Sequence, residues 1–332
     1  MEVKEFSHGG DIEGFKKRYK VKKVLDLSSN INFLKPKIKI DLNKVDLASY
    51  PNYEKFYRQI AKHFNINDNE IELFNGGSSA IFALFKFLNL RHCAIYSPAY
   101  LEYKRVAKSL SMKIELINRF ENLYKEVKRD SLVVFVNPST PDGKYYDLKK
   151  LFSIWQKADA TVLVDESFLE FCSKKSAVEF LKNYKKLYIL KSMTKFYACA
   201  GVRVGVVISS CKNIKQLKKN EPLWKLSEFD ISYLSQALKD REFVKKTIKI
   251  TKKNREFLVY KLKKSGQFKK IYKSEANFIL ASLKSQTAKE FQERVAKSGI
   301  MVRDCSNFDF LDESYVRIAV KGRESINILL NN

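Results

Sequence analysis

The stretch Leu187-Tyr188-Ile189-Leu190-Lys191-Ser192-Met193-Thr194-Lys195-Phe196 decides how this chain is read. A short unbroken apolar run that ends in small polar residues and lysines is the pattern of a strand buried on both faces of a parallel sheet. Runs of the same kind occur at 92–96, 132–136, 161–164 and 204–208. Between them, residues 101–110, 148–157 and 177–184 carry apolar side chains at helical spacing. Repeated strand–helix units imply an α/β architecture, a mostly parallel central sheet covered by helices. Beyond Pro222 the pattern changes. A long charged helical stretch at 233–265 leads into short strand patterns at 276–282 and 315–320. With no Gly/Ser-rich linker and no internal repeat between the regions, we expect a large domain over residues 45–235. Residues 1–44 and 236–332 then form a smaller α+β domain.

In open parallel sheets, ligands bind beyond the carboxyl ends of the strands. The run 132–136 ends in Asn137-Pro138-Ser139-Thr140-Pro141-Asp142-Gly143, and the run 161–164 in Asp165-Glu166-Ser167-Phe168. The run 187–190 ends in the segment that holds Lys195. An Asn, an Asp and a Lys therefore converge on one edge. Singly each is ordinary, since an Asp after a strand commonly caps a turn or a helix. A Lys in so basic a chain lies on the surface by default. The joint placement singles them out.

Composition narrows the function classes. The 332 residues can bury a sizeable core, and 45% hydrophobic with 13% aromatic residues is a globular composition. No apolar run is long enough to cross a bilayer and no charged-then-apolar leader opens residues 1–11, so a soluble cytoplasmic protein with no membrane partner is expected. Five cysteines (Cys93, Cys172, Cys199, Cys211, Cys305) without a CxxC pair suit reduced thiols. Three histidines, His8, His63 and His92, leave little material for a zinc site or a Ser-His-Asp triad, so no metal is expected. The formal charge of +26 would suit nucleic acid. The lysines are instead spread along helical stretches, as at Lys128, Lys144 and Lys149, with no nucleic-acid-binding signature, so no such partner is expected. A positive field still favours phosphorylated small molecules.

The order Asn137-Pro138 to Gly143, then Asp165-Glu166-Ser167-Phe168, then Ser192-Met193-Thr194-Lys195, then Arg203 resembles fold-type-I pyridoxal-phosphate (PLP) enzymes of the class I/II aminotransferase superfamily. Agreement runs from His8 to Arg323. The resemblance implies an aspartate-aminotransferase-like fold and PLP as cofactor. It implies that Lys195 holds the cofactor aldehyde as a Schiff base and later carries a proton. Asp165 would face the protonated ring nitrogen and Asn137 the ring hydroxyl. Gly76, Gly77 and Ser78 at a helix start, with Ser192, Thr194 and Arg203, would cup the phosphate. Tyr100 matches the aromatic that stacks on the ring, with a plain core tyrosine as the alternative. Tyr50 matches a residue that reaches the neighbouring subunit's cofactor, which makes the active unit a homodimer. Many relatives have a tyrosine where this chain has Phe168, a departure shared by the decarboxylase-like branch.

Within the superfamily the chain is similar to threonine-phosphate decarboxylases, and next to histidinol-phosphate aminotransferases. The segments that carry this are His8-Gly9-Gly10-Asp11, Ser28-Ser29-Asn30-Ile31-Asn32, Arg303-Asp304-Cys305-Ser306-Asn307-Phe308 and Tyr315-Val316-Arg317-Ile318-Ala319-Val320. The implied reaction removes CO2 from an O-phospho-L-amino acid, L-threonine or L-serine O-phosphate, leaving an aminoalkyl phosphate. The alternative is an aminotransferase acting on histidinol phosphate or a related amino phosphate. His8, Asn32, Arg317 and Arg323 are the candidates for the substrate shell. The chain departs from the family at Cys199-Ala200-Gly201, where relatives have Pro before Gly, and at Pro222-Leu223-Trp224-Lys225-Leu226-Ser227. A single methyl is worth only about 1–3 kcal/mol of discrimination, so serine and threonine phosphate stay open.

Overall fold

In the computed structural model, which describes residues 8–46 and 48–331, a seven-stranded sheet carries the fold. Residues 1–7, part of the opening stretch expected to hold no leader, lie outside the described residues. The strand β1 (Leu25–Asp26) stands apart from this sheet. Across the sheet the order is β2 (Ile71–Asn75), β8 (Val204–Ser209), β7 (Leu187–Ser192), β6 (Thr161–Asp165), β5 (Leu132–Val136), β3 (His92–Ser97) and β4 (Lys113–Asn118). The strands from β4 through β7 pair in parallel, whereas β8 runs antiparallel to both β7 and β2. The sequence reading had the five central strands and lacked β2 and β4. The latter, Lys113–Asn118, is only partly buried at the sheet edge and so lacks the continuous apolar signature.

Successive residues of a strand point to opposite faces, and the two cores follow that rule. Val133, Phe135, Val162, Val164 and Ile189 belong to one core, while Leu132, Val134, Leu163, Tyr188 and Leu190 belong to the other. Burial on both faces explains why these strands read as unbroken apolar runs.

The last third builds a four-stranded antiparallel sheet, β12 (Arg303–Asp304), β13 (Tyr315–Ala319), β10 (Phe278–Leu283) and β9 (Phe268–Ile271) in spatial order. β1 returns from the start of the chain to pair in parallel with β11 (Ile300–Met301). Leu27 accordingly shares a core with Leu258, Ile279, Val316 and Ile318.

Two expected helices differ. The stretch 233–265 is divided into the helices Glu228–Ala237 and Arg241–Ser265, because Asp240 starts the second one by accepting from the Phe243 amide. The stretch 177–184 forms only the 3-10 turn Ala177–Phe180, which Ser176 caps by accepting the Val178 amide while donating to the Glu166 carboxylate, which also takes the Ala177 amide. Among the described residues no helix is long and apolar enough to cross a membrane.

Candidate active site

Parallel pairing of β5, β6 and β7 puts their carboxyl ends side by side. The Asn137 amide donates to the Asp165 carbonyl at 2.8 Å, and the Glu166 amide to the Leu190 carbonyl at 2.8 Å. Asn137, Asp165 and Lys195 therefore meet at one edge of the sheet, the crevice where open α/β sheets bind ligands.

Lys195 lies on the one-turn helix Met193–Phe196 that follows β7. Its Nζ is 3.5 Å from Ser192 Oγ and 5.2 Å from the centre of the Phe168 ring. Burial pushes the amine below its ordinary pKa, the Asp165 carboxylate opposes that shift, and the guanidinium groups of Arg203 and Arg317 add to it. The backbone around it is fixed from afar. Asn32 donates its amide to the Lys195 carbonyl at 2.9 Å and its side chain to the Phe196 carbonyl at 2.8 Å.

Asp165 is buried and accepts three hydrogen bonds: the Ser167 amide (2.8 Å), the Ser167 hydroxyl (2.5 Å) and the Tyr103 hydroxyl (2.6 Å). No described Lys, Arg or His pairs with it. A buried carboxylate whose partners are all neutral donors is incomplete without a cation, and a protonated ring nitrogen is of that kind. Asn137 is held by the backbone of Tyr146, accepting from its amide at 2.9 Å and donating to its carbonyl at 3.0 Å. Its amide nitrogen keeps a second hydrogen to donate.

The helix Gly76–Leu88 begins with Asn75, which makes no side-chain cap bond, so its first amides are free for an anion. Gly76 has φ +80°, and a Cβ there would run into the Arg203 guanidinium. A Cβ on Gly205 of β8 would come within 2.6 Å of the Gly76 backbone. Close approach of this kind makes a cradle that only glycine permits. Gly77 faces Ser192, whose hydroxyl pairs with that of Thr194 at 3.0 Å. Tyr100 caps the next helix and its hydroxyl lies 3.4 Å from Ser78 Oγ. Contacts thus link Gly76 with Arg203, Gly77 with Ser192, Ser192 with Thr194 and Lys195, and Ser78 with Tyr100, and this set of donors fits a phosphorylated pyridine aldehyde. Gly76→Ala is expected to lower stability by more than about 1 kcal/mol, because the left-handed backbone and the Arg203 contact both oppose a methyl. A urea unfolding curve measures it.

The substrate candidates fall into different places. Arg317 on β13 is buried, with hydrogen bonds only to neutral acceptors, the Thr140 hydroxyl (3.2 Å) and the Ser28 carbonyl (3.0 Å). Its Nε has no partner, and burial draws its pKa down to about 10. His8 hydrogen-bonds to Glu102 at 3.1 Å and its ring lies 5.3 Å from that of Tyr100. Asn32 is already committed: its amide group also meets the Thr247 hydroxyl, and its oxygen takes the Leu34 amide. It braces the Lys195 helix with both of its side-chain amide hydrogens. Arg323 stands apart from the other candidates. It begins the outer helix Arg323–Leu330, is exposed, and lies over the Phe257 ring, because the chain has left the sheet by then. Tyr50 is 75% exposed and stacks on Trp224 with ring centres 4.0 Å apart.

Three residues escaped the sequence reading. Arg303 on β12 is buried and in register with Arg317. Its signal was present, since it sits in a quoted strand segment where burying a guanidinium needs a reason. Thr140 and Tyr103 had no signal, because each acts on a partner distant in sequence.

The comparisons with known proteins fit this geometry. Residues 22–331 match the family model described as aminotransferase class I and II. A protein of Caldanaerobacter subterraneus named "Putative threonine-phosphate decarboxylase" is 30% identical over 97% of this chain and 91% of its own. The histidinol-phosphate aminotransferase of Methanocaldococcus jannaschii is 26% identical over 99% of this chain and 94% of its own. The crystal structure of the histidinol-phosphate aminotransferase from Clostridium acetobutylicum superposes with a TM-score of 0.81 at 28% identity, covering 93% of this chain and 97% of that one. With an aspartate-aminotransferase-like fold and a matching family model over nearly its whole length, this chain belongs to the class I and II aminotransferases, a family of PLP-dependent enzymes.

Proposed function

We propose that this enzyme removes CO2 from an O-phospho-L-amino acid, L-threonine or L-serine O-phosphate, leaving an aminoalkyl phosphate. The observation that carries the reading is Arg317, a buried guanidinium that acts electrostatically on Lys195, lies over the Phe278 ring and, among the described residues, hydrogen-bonds to neutral oxygens alone. Such a group needs an anion, and the substrate brings one. Arg303, its register partner, adds a second positive charge, as a substrate with two anionic groups requires.

When bound, PLP would supply an electron sink for the bond broken at the substrate's α-carbon. The protein residues do the rest. Lys195 holds the aldehyde and moves a proton, helped by an amine that loses its own proton more readily than an exposed lysine. Asp165, fixed by Ser167 and Tyr103, would face the ring nitrogen, and Asn137 would donate to the ring hydroxyl. Gly76, Gly77, Ser78, Ser192, Thr194 and Arg203 hold the phosphate, and Tyr100 covers the ring. Arg317 would hold an anionic group of the substrate and so help decide which α-carbon bond is presented to the cofactor, with Arg303, itself bonded to Asp304 and Asn307, adding positive charge nearby. Phe168, where many relatives have tyrosine, leaves the ring hydroxyl to Asn137.

Transamination of histidinol phosphate is the second reading, favoured by the similarity to the aminotransferases of that name. A CO2-release assay of the PLP-loaded protein with O-phosphothreonine, O-phosphoserine and histidinol phosphate separates the two. Stoichiometric CO2 without an oxoacid supports decarboxylation, whereas a requirement for 2-oxoglutarate without CO2 overturns it.

We further place the enzyme in the cytoplasm as a homodimer. Tyr50, Leu223 and Trp224 are 75%, 74% and 52% exposed and lie next to the glycine cradle, since the Asn75 side chain touches the Lys225 carbonyl. A dimer would cover these side chains and bring the partner subunit's Tyr50 toward the cofactor phosphate. Tyr50→Ala is expected to raise the PLP dissociation constant about tenfold if one hydrogen bond to a charged group is lost. Fluorescence titration with PLP measures it.

A further inference from the structure

A second buried arginine of this chain has an acidic partner: the Nη2 of Arg119 is paired with a carboxylate, while its Nε and Nη1 make no hydrogen bond among the described residues. Arg119 follows β4 and its side chain is 1% exposed. It forms an ion pair with Asp142, also 1% exposed, and donates to the Thr140 carbonyl at 3.3 Å. Asp142 is in turn held by the Ser139 hydroxyl at 2.6 Å. Both partners therefore grip the loop between β5 and Asp147, the loop that carries Asn137 and Thr140. The Thr140 hydroxyl then accepts from Arg317 Nη1 at 3.2 Å.

The two arginines differ in charge balance. Arg119 is neutralised by Asp142, so it has no net attraction left for a substrate anion. Arg317 meets only neutral oxygens, so it keeps its full charge, but neutral acceptors orient a guanidinium weakly unless they are themselves fixed. Thr140 is fixed by Arg119. We infer that Arg119 and Asp142 are positioning residues for substrate binding, holding Thr140 so that Arg317 points its free Nε at the substrate's anionic group. This rests on the reading that Arg317 takes that group.

The test measures KM and kcat for whichever of O-phosphothreonine, O-phosphoserine and histidinol phosphate is turned over, with competitive inhibition by inorganic phosphate as a second readout. The double replacement Arg119→Met with Asp142→Leu removes the pair without leaving a lone buried charge. It is expected to raise KM and the inhibition constant at least tenfold, with kcat changed less than threefold and the visible cofactor band unmoved. Thr140→Val, a replacement of similar shape, is expected to give the same pattern, and the combined variant no further loss, because all three changes break one chain of contacts. Should the pair variant not fold, Thr140→Val in the intact protein still decides. Losses that multiply in the combined variant, or a KM unchanged by Thr140→Val, overturn the inference. Arg317→Ala separates this from the parent reading. If Arg317→Ala leaves KM unchanged, the parent reading fails, and if it raises KM while Thr140→Val does not, only the positioning role fails.

Discussion

Lys195→Met is expected to purify colourless and to turn over at least about a thousandfold more slowly than the parent enzyme, because under the proposed roles one replacement removes both the cofactor's covalent tether and the proton carrier. The parent protein, reduced with borohydride in the presence of PLP, should carry one added mass per chain on the peptide that contains Lys195. The methionine variant should carry none, as read by mass spectrometry. The lowered amine pKa adds a pH signature. An amine attacks an aldehyde only when unprotonated, so incorporation at Lys195 is expected to reach half its maximal rate at a lower pH than incorporation at a free lysine side chain. A colourless parent protein, or labelling spread over surface lysines, would refute the assignment.

Arg317→Met carries the second large effect. Truncating one member of a desolvated charge pair costs about 2–5 kcal/mol, which is roughly a 30- to 4000-fold loss in kcat/KM for the phosphoamino acid. The loss should fall on the substrate and spare the cofactor, so the visible band stays while KM climbs. Stability should change little or improve, since the variant no longer holds a guanidinium with an unpartnered Nε in the interior. Steady-state kinetics and thermal unfolding of the same preparation check both halves.

The cofactor side of the site was legible because it lies on consecutive strand ends. Asn137, Asp165 and Lys195 each follow an unbroken apolar run, and the parallel order β5, β6, β7 brings them together. The glycine cradle was legible for a related reason, since a helix start with adjacent glycines has few other uses. The substrate side was harder. Arg317 could be picked from its strand pattern, whereas Arg323, only six positions later, belongs to an exposed helix, and strand-to-helix boundaries are where periodicity is weakest. Asn32 looked like a ligand residue because of its motif, yet its partners stand 164 residues away at Phe196 and 215 away at Thr247. Nothing local to residue 32 announces them. The same holds for the Thr140 contact with Arg317, which spans 177 positions.

The pairing of β1 with β11 has a consequence for how the molecule is made. Ser28 holds Arg317 across 289 residues, and Leu25 takes Ile300 as its strand partner. During synthesis the segment around residues 25–32 emerges well before residues 300–319 and must wait for them without its lasting neighbours. The large sheet can condense earlier, so a nascent or truncated product that lacks the last thirty residues would hold Lys195 and its cradle but have no Arg317 to meet a substrate.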